Sequence, residues 1–258
     1  MTTLPEMTPL QRMTKLQEML DPFGIDASDL MNYLKDTGII AGSFAMASLI
    51  PDFGPINDMD IFSIVPFMHR YSPLESEAVI AYFKSVTDWF SQYGYTEDTD
   101  SYTKTKNDYD FSRFIFKVQT FRHITSGKKI DFVHITQNYR SIFSESDFTI
   151  SDTYIMFNNE YTPSGVYTPV YISNHYDDLV NKRLVLCNIS GLFRTDYYRD
   201  TKRGPFCPLD EVIAPKRLAR LEKYLTRGFQ MIPKEYTISY RNTLVNEEFY
   251  RARLAMFM

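Results

Sequence analysis

The chain has 258 residues, 44% hydrophobic and 23% charged with no biased tract, a composition able to bury a real core in one large domain or two modest ones. A net charge of -4 excludes a polyanion binder of the histone kind, and no run approaches the ~18 apolar residues of a membrane span. Cys187 and Cys207 match no zinc or redox spacing, and the stretch MTTLPEMTPLQRM has neither an apolar core nor a cleavage site, so the expectation is a soluble, cytoplasmic protein without a membrane partner.

Taken in chain order, Leu10, Met13, Leu16 and Leu20 recur at helical spacing, and Pro22 with Gly24 ends that helix. A second helix is predicted from Ser28 to Asp36, stopping at Gly38. Ile39-Ile40-Ala41 reads as a short strand, Gly42-Ser43 as a turn and Phe44 to Ile50 as a short helix. Pro51 to Pro55 is a loop, and Asp58 to Val65 is strand-like. Ser72-Pro73-Leu74-Glu75 has the form of a capping box opening a helix to Tyr93, with Trp89 in its core face and Gly94 closing it. Thr96 to Asp110 reads as loop. Phe111 to Ile124 and Lys129 to Ile135 are β-rich and flank a turn signal at Thr125-Ser126-Gly127-Lys128. Further on, Asp147 to Phe157 and Gly165 to Ile172 are strand candidates, and Asn174 with Asp177 and Asp178 marks a helix start. Pro215 is expected to open a helix through Arg227, closed by Gly228, and Thr243 to Met256 to form a final amphipathic helix. The pattern changes near residues 137–145, a candidate boundary.

The chemistry concentrates in three segments. In Asp58-Met59-Asp60-Ile61-Phe62, side chains two apart share a strand face, so Asp58 and Asp60 project together while Met59 and Ile61 turn into a core. Paired carboxylates repel and raise one another's pKa unless a cation lies between them, and hard oxygen ligands suit magnesium. Asp131 stands alone in the apolar strand Lys129 to Val133, where burial without a partner is costly. If that strand lies beside the first, the three carboxylates form a cluster of the kind that holds two metal ions about 4 Å apart. Upstream, Ile40-Ala41-Gly42-Ser43 is a strand running through Gly-Ser into a helix N-terminus, whose backbone N–H groups and serine hydroxyl suit a phosphate.

In that order, Gly42-Ser43, Asp58-x-Asp60 and Asp131 resemble the nucleotidyltransferase superfamily related to DNA polymerase β. Fourteen residues separate Ser43 from Asp58, slightly more than usual for that family, and the extra length falls in the 51–57 loop. The resemblance spans about residues 38–135 and implies an α+β fold: a mixed β-sheet with helices packed on one side, over residues 1–140. A mainly helical C-terminal half, 141–258, would follow it and contact nucleotide or acceptor. It further implies an NTP substrate, magnesium or manganese held by Asp58, Asp60 and Asp131, and β- and γ-phosphates on Gly42 and Ser43. Asp131 would also help accept the proton of the attacking hydroxyl. Residues 217–229 are more loosely similar to nucleotidyltransferase-like proteins of large DNA viruses and phages, which points to a viral source.

Charge is uneven. Between Lys182 and Lys234, 12 Lys and Arg face 5 Asp and Glu. Lys216, Arg220, Lys223 and Arg227 form one stripe on the predicted helix, either facing triphosphate or nucleic acid or lying as a solvated face beside Glu222. Arg194, Arg199, Lys202 and Arg203 form a second basic group or an ordinary loop surface. His69, His123, His134 and His175 lack metal-ligand spacing, although His134 follows Asp131 in its strand closely enough for a pocket role. RNA or a tRNA 3′ end is the first expectation for the acceptor. A protein hydroxyl, a small molecule, and a non-catalytic NTP-binding or viral structural protein are the alternatives.

Overall fold

The computed structural model of the chain describes residues 7–65, 77–99, 115–136, 146–159, 167–187, 208–238 and 241–256. The chain divides into two compact units, residues 1–142 with 153–173, and residues 143–152 with 174–258. The fold is α+β, with a mixed sheet and helices.

The first unit opens with α1 (Pro9–Leu20), where Thr8 and Gln11 cap one another reciprocally and Pro9 occupies the first turn, whose N–H groups have no helical partner. Next comes α2 (Ala27–Leu34), capped by the Asp26 carboxylate on the Asp29 N–H. Gln17 joins the two helices, donating to Ile25 O and accepting from the Ala27 N–H. Then follow β1 (Gly38–Ala41), α3 (Gly42–Ala47), β2 (Asp58–Ile64) and α4 (Glu77–Ser91). The Ser72–Glu75 capping signal lies outside the described residues. Thr96 and Glu97, expected to begin a loop, belong instead to β3 (Tyr95–Glu97), because it pairs with β4 (Ile115–His123). The unit is completed by β5 (Lys129–Ile135), β6 (Thr153–Asn159) and β7 (Tyr167–Ser173).

These strands form one sheet in the order β3-β4-β5-β2-β1-β6-β7. All neighbours are antiparallel except β2 and β5, which run parallel at the centre. The strands β6 and β7 lie C-terminal to the boundary signal at 137–145, yet β6 pairs onto β1 and β7 onto β6. Pro169, which has no N–H to donate, is tolerated because β7 is an edge strand.

Strand alternation sorts the sheet into two faces. Ile40, Met59, Ile61, Phe121, Ile130, Phe132, Ile155 and Phe157 face α1, α2 and α4, forming one core with Leu16, Leu20, Leu30, Leu34, Val86 and Phe90. Trp89 is half-buried, stacked on Tyr33 at 4.4 Å and packed against that core. Asp58, Asp60, Lys129 and Asp131 project from the opposite face.

The second unit contains α5 (Tyr176–Val180), β8 (Arg183–Leu184), α6 (Pro208–Thr226), β9 (Gln230–Met231), the hairpin β10 (Lys234–Ile238) and β11 (Arg241–Val245), and α7 (Glu247–Ala255). Phe148 packs edge-on to Tyr224 and against Tyr250, with Leu221 and Leu254 also buried. Two predicted elements are revised. The basic helix begins at Pro208 and carries Pro215 inside it. Residues 243–245 of the expected last helix belong instead to β11, and the helix starts only after Asn246, whose side chain caps the Phe249 N–H. Among the described residues no helix is long and apolar enough to cross a membrane.

Candidate active site

The parallel pairing of β2 with β5 sets Asp60 directly beside Asp131 and Asp58 beside Lys129. Since side chains two apart share a face, all four project together from the face opposite the helical core. Ala41 lies beside Asp60 on the other flank, and Thr120 beside Asp131. The sheet therefore carries the row Ala41, Asp60, Asp131, Thr120 across four strands. Asp58 and Asp60 are half-buried, whereas Asp131 is 5% exposed.

Gly42 follows β1 immediately and opens α3. It has φ +68°, in the left-handed region, and a Cβ built there would lie 2.5 Å from Asp60 Oδ2. Only glycine meets both conditions, so the chain turns from β1 into α3 with its backbone against the Asp60 carboxylate. Ser43 is buried in the same turn.

Asp131 is held on both oxygens. The Thr120 hydroxyl donates to Oδ1 at 2.7 Å, and Lys129 Nζ contacts Oδ2 at 2.6 Å. Burial works against the charge on Lys129, but the carboxylates of Asp131, Asp60 and Asp58 outweigh it and raise the ammonium pKa. Neither Lys129 nor Thr120 was singled out from sequence. Lys129 had a signal, since it stands two residues before Asp131 and must share its face. Thr120 had none, because it meets Asp131 only through the β4–β5 register.

As the side chains stand, no group of three or more His, Cys, Asp and Glu among the described residues converges as metal ligands would. The donor set nonetheless suits a hard divalent ion, with three carboxylates on adjoining strands and a cation, the Lys129 ammonium, already drawn onto one of them.

The remaining candidates lie elsewhere. His134 is fully buried on the helical face, away from the carboxylates, with Nε2 2.9 Å from Gln119 Oε1 and Phe83 edge-on at 4.9 Å. A pocket role at the carboxylates is thus excluded by strand parity. Burial, and secondarily Lys117, lowers its pKa well below the usual histidine value. Lys216, Arg220 and Lys223 are half-buried residues of α6 in the second unit. Arg220 is bonded to the buried Asp147 at 2.7 Å, and Arg217 reaches the other oxygen of that carboxylate at 3.0 Å. The basic group at 194–203, His69 and Cys207 lie outside the described residues.

No protein-family model and no curated protein matches the sequence. Among solved structures, the chain is similar to a CCA-adding enzyme in complex with CTP, with a TM-score of 0.38 and 13% identity over 84% of this chain and 47% of that one. It is also similar to a CCA-adding enzyme in complex with ATP, with a TM-score of 0.39 and 12% identity over 83% of this chain and 49% of that one. The chain therefore spans about half the length of those enzymes. Neither structure bears on the viral source raised by residues 217–229.

Proposed function

We propose that the chain is a metal-dependent nucleotidyltransferase that moves NMP from an NTP to the 3′ hydroxyl of an RNA, such as a tRNA. One observation carries the reading: Asp60 and Asp131 are register partners on adjoining parallel strands, with Asp58 on the same face and the Gly42 backbone against Asp60. Magnesium or manganese, when bound, would lower the charge on the phosphates and make the acceptor hydroxyl more acidic. Asp58, Asp60 and Asp131 would hold it. Gly42 and Ser43 would orient the β- and γ-phosphates, and Asp131 would take the proton from the attacking hydroxyl. The acceptor oxygen bonds to the α-phosphorus as the bond to pyrophosphate breaks. The basic excess between Lys182 and Lys234, including Lys216 and Lys223, would attract a polyanionic acceptor.

A second reading has one observation in its favour. The Lys129 ammonium already neutralises Asp131, as it would in a protein of this fold that binds NTP without turnover. Incubating the chain with each α-labelled NTP, magnesium or manganese, and a pool of cellular RNA and protein separates the two. Label on RNA is expected, lost in Asp58→Ala and Asp60→Ala. Label on protein would move the acceptor to an AMP-type modification, and NTP binding without any labelled product would favour the non-catalytic reading.

A further inference from the structure

We propose that Lys129 is a resident counter-cation of the carboxylate face, holding Asp131 in place before a divalent ion binds and competing with that ion for the same oxygen. The inference rests on the reading of this face as a metal site, and it concerns a residue that reading does not require.

The geometry points to exchange. Lys129 and Asp131 are two apart on β5, so their side chains lie on one face, and the ammonium is 2.6 Å from Oδ2. Across the strand gap Lys129 faces Asp58. On its other side Arg122, its register partner on β4, is neutralised by Asp98 at 2.8 Å. Lys129 thus puts its charge directly on Asp131, while Arg122 pairs with Asp98. The Asp131 side chain is only 7% exposed, and a buried carboxylate without a compensating charge is strongly destabilising. The metal-free fold needs a positive charge at this point, and Lys129 supplies it. A divalent ion bound there would need the Oδ2 lone pairs that the ammonium now occupies, and two cations at that spacing repel. Lys129 is 29% exposed and has a flexible four-carbon stem, so it can swing out to solvent when displaced. The Thr120 hydroxyl stays on Oδ1 in either state and keeps the carboxylate oriented.

The test uses the full chain as wild type, Lys129→Met, Lys129→Arg and Asp60→Asn. Free Mn2+ is titrated by electron paramagnetic resonance, and thermal midpoints are taken in chelator and in Mn2+. Removing one positive charge next to the site is expected to tighten Mn2+ binding by about tenfold. The same variant should melt lower than wild type in chelator and gain more from Mn2+. Lys129→Arg should keep wild-type behaviour, and Asp60→Asn should lose binding. If Lys129→Met does not fold without metal, Lys129→Gln, which keeps a donor without the charge, takes its place. Equal or weaker Mn2+ binding by the folded uncharged variant, with wild type binding normally, overturns the counter-cation role and leaves the metal reading intact. Saturable binding by the uncharged variant but not by wild type supports the role and makes the lysine a permanent occupant. No saturable binding by any of these proteins overturns both.

Discussion

Gly42 is the residue whose identity is most tightly dictated. A methyl group there would collide with Asp60 Oδ2 while the backbone is held at positive φ, so Gly42→Ala should cost about 1–3 kcal/mol in thermal unfolding. It should also displace the Asp60 carboxylate, so Mn2+ affinity should fall with stability. Thr120→Val tests the other flank. It removes the donor to a buried carboxylate oxygen and should lower unfolding free energy by roughly 1–3 kcal/mol in urea titrations. His134 adds a pH dependence from the helical face, where Gln119, Tyr82, Phe83, Phe132 and Lys117 surround it. Its folded-state pKa is depressed, so the unfolded chain binds the extra proton first. Stability should therefore be fully present above about pH 6.5, the ordinary histidine value, and fall as the pH drops below it. Urea midpoints at several pH values should show that slope, and His134→Gln should flatten it. At this scale Asp58 and Asp60 were legible from sequence because strand alternation alone puts them together. Thr120 was not, because its meeting with Asp131 depends on which strands pair.

Local signals carried most elements and misled where tertiary pairing competed with them. Period-two alternation gave β2 and β5 almost to the residue, whereas the second helix, expected from Ser28 to Asp36, runs from Ala27 to Leu34. Pro215 was read as a helix start because proline fits the first turn. Within α6 it forgoes one backbone hydrogen bond, a local penalty of about 3 kcal/mol that the rest of a 19-residue helix absorbs. Thr243 and Val245 look compatible with an amphipathic helix, but as β-branched residues they pair with Tyr236 and Lys234 instead. The basic stripe on α6 was legible as a spacing and not as a set of partners. Arg217 and Arg220 grip Asp147, whose side chain is 3% exposed, and so anchor α6 within the second unit. Asp147→Ala would remove the carboxylate that both guanidinium groups grip. It should lower the thermal midpoint of the full chain, at a cost of about 2–4 kcal/mol. An unchanged midpoint would mean that the two arginines are held by something other than Asp147.

Across the whole molecule, the decisive feature is sheet order. Asp60 and Asp131 come from strands far apart in sequence, joined through α4 and the β3–β4 pair, and no local pattern reports that β5 returns parallel to β2. The hairpin signal at 125–128 correctly joined β4 to β5 but left that parallel pairing open. Nor did the sequence disclose that β6 and β7 complete the sheet of the first unit. The result is a carboxylate row in the middle of the sheet, on the face opposite α1, α2 and α4. Transfer by that row can be followed with NTP labelled at either the α- or the γ-phosphate, using wild type and Asp60→Asn with magnesium and RNA. The expected result is α-label retained on the acceptor, γ-label released in pyrophosphate, and both events lost in Asp60→Asn. Retention of α-label at the wild-type rate by a folded Asp60→Asn protein would contradict the assignment of this face as the site of nucleotidyl transfer.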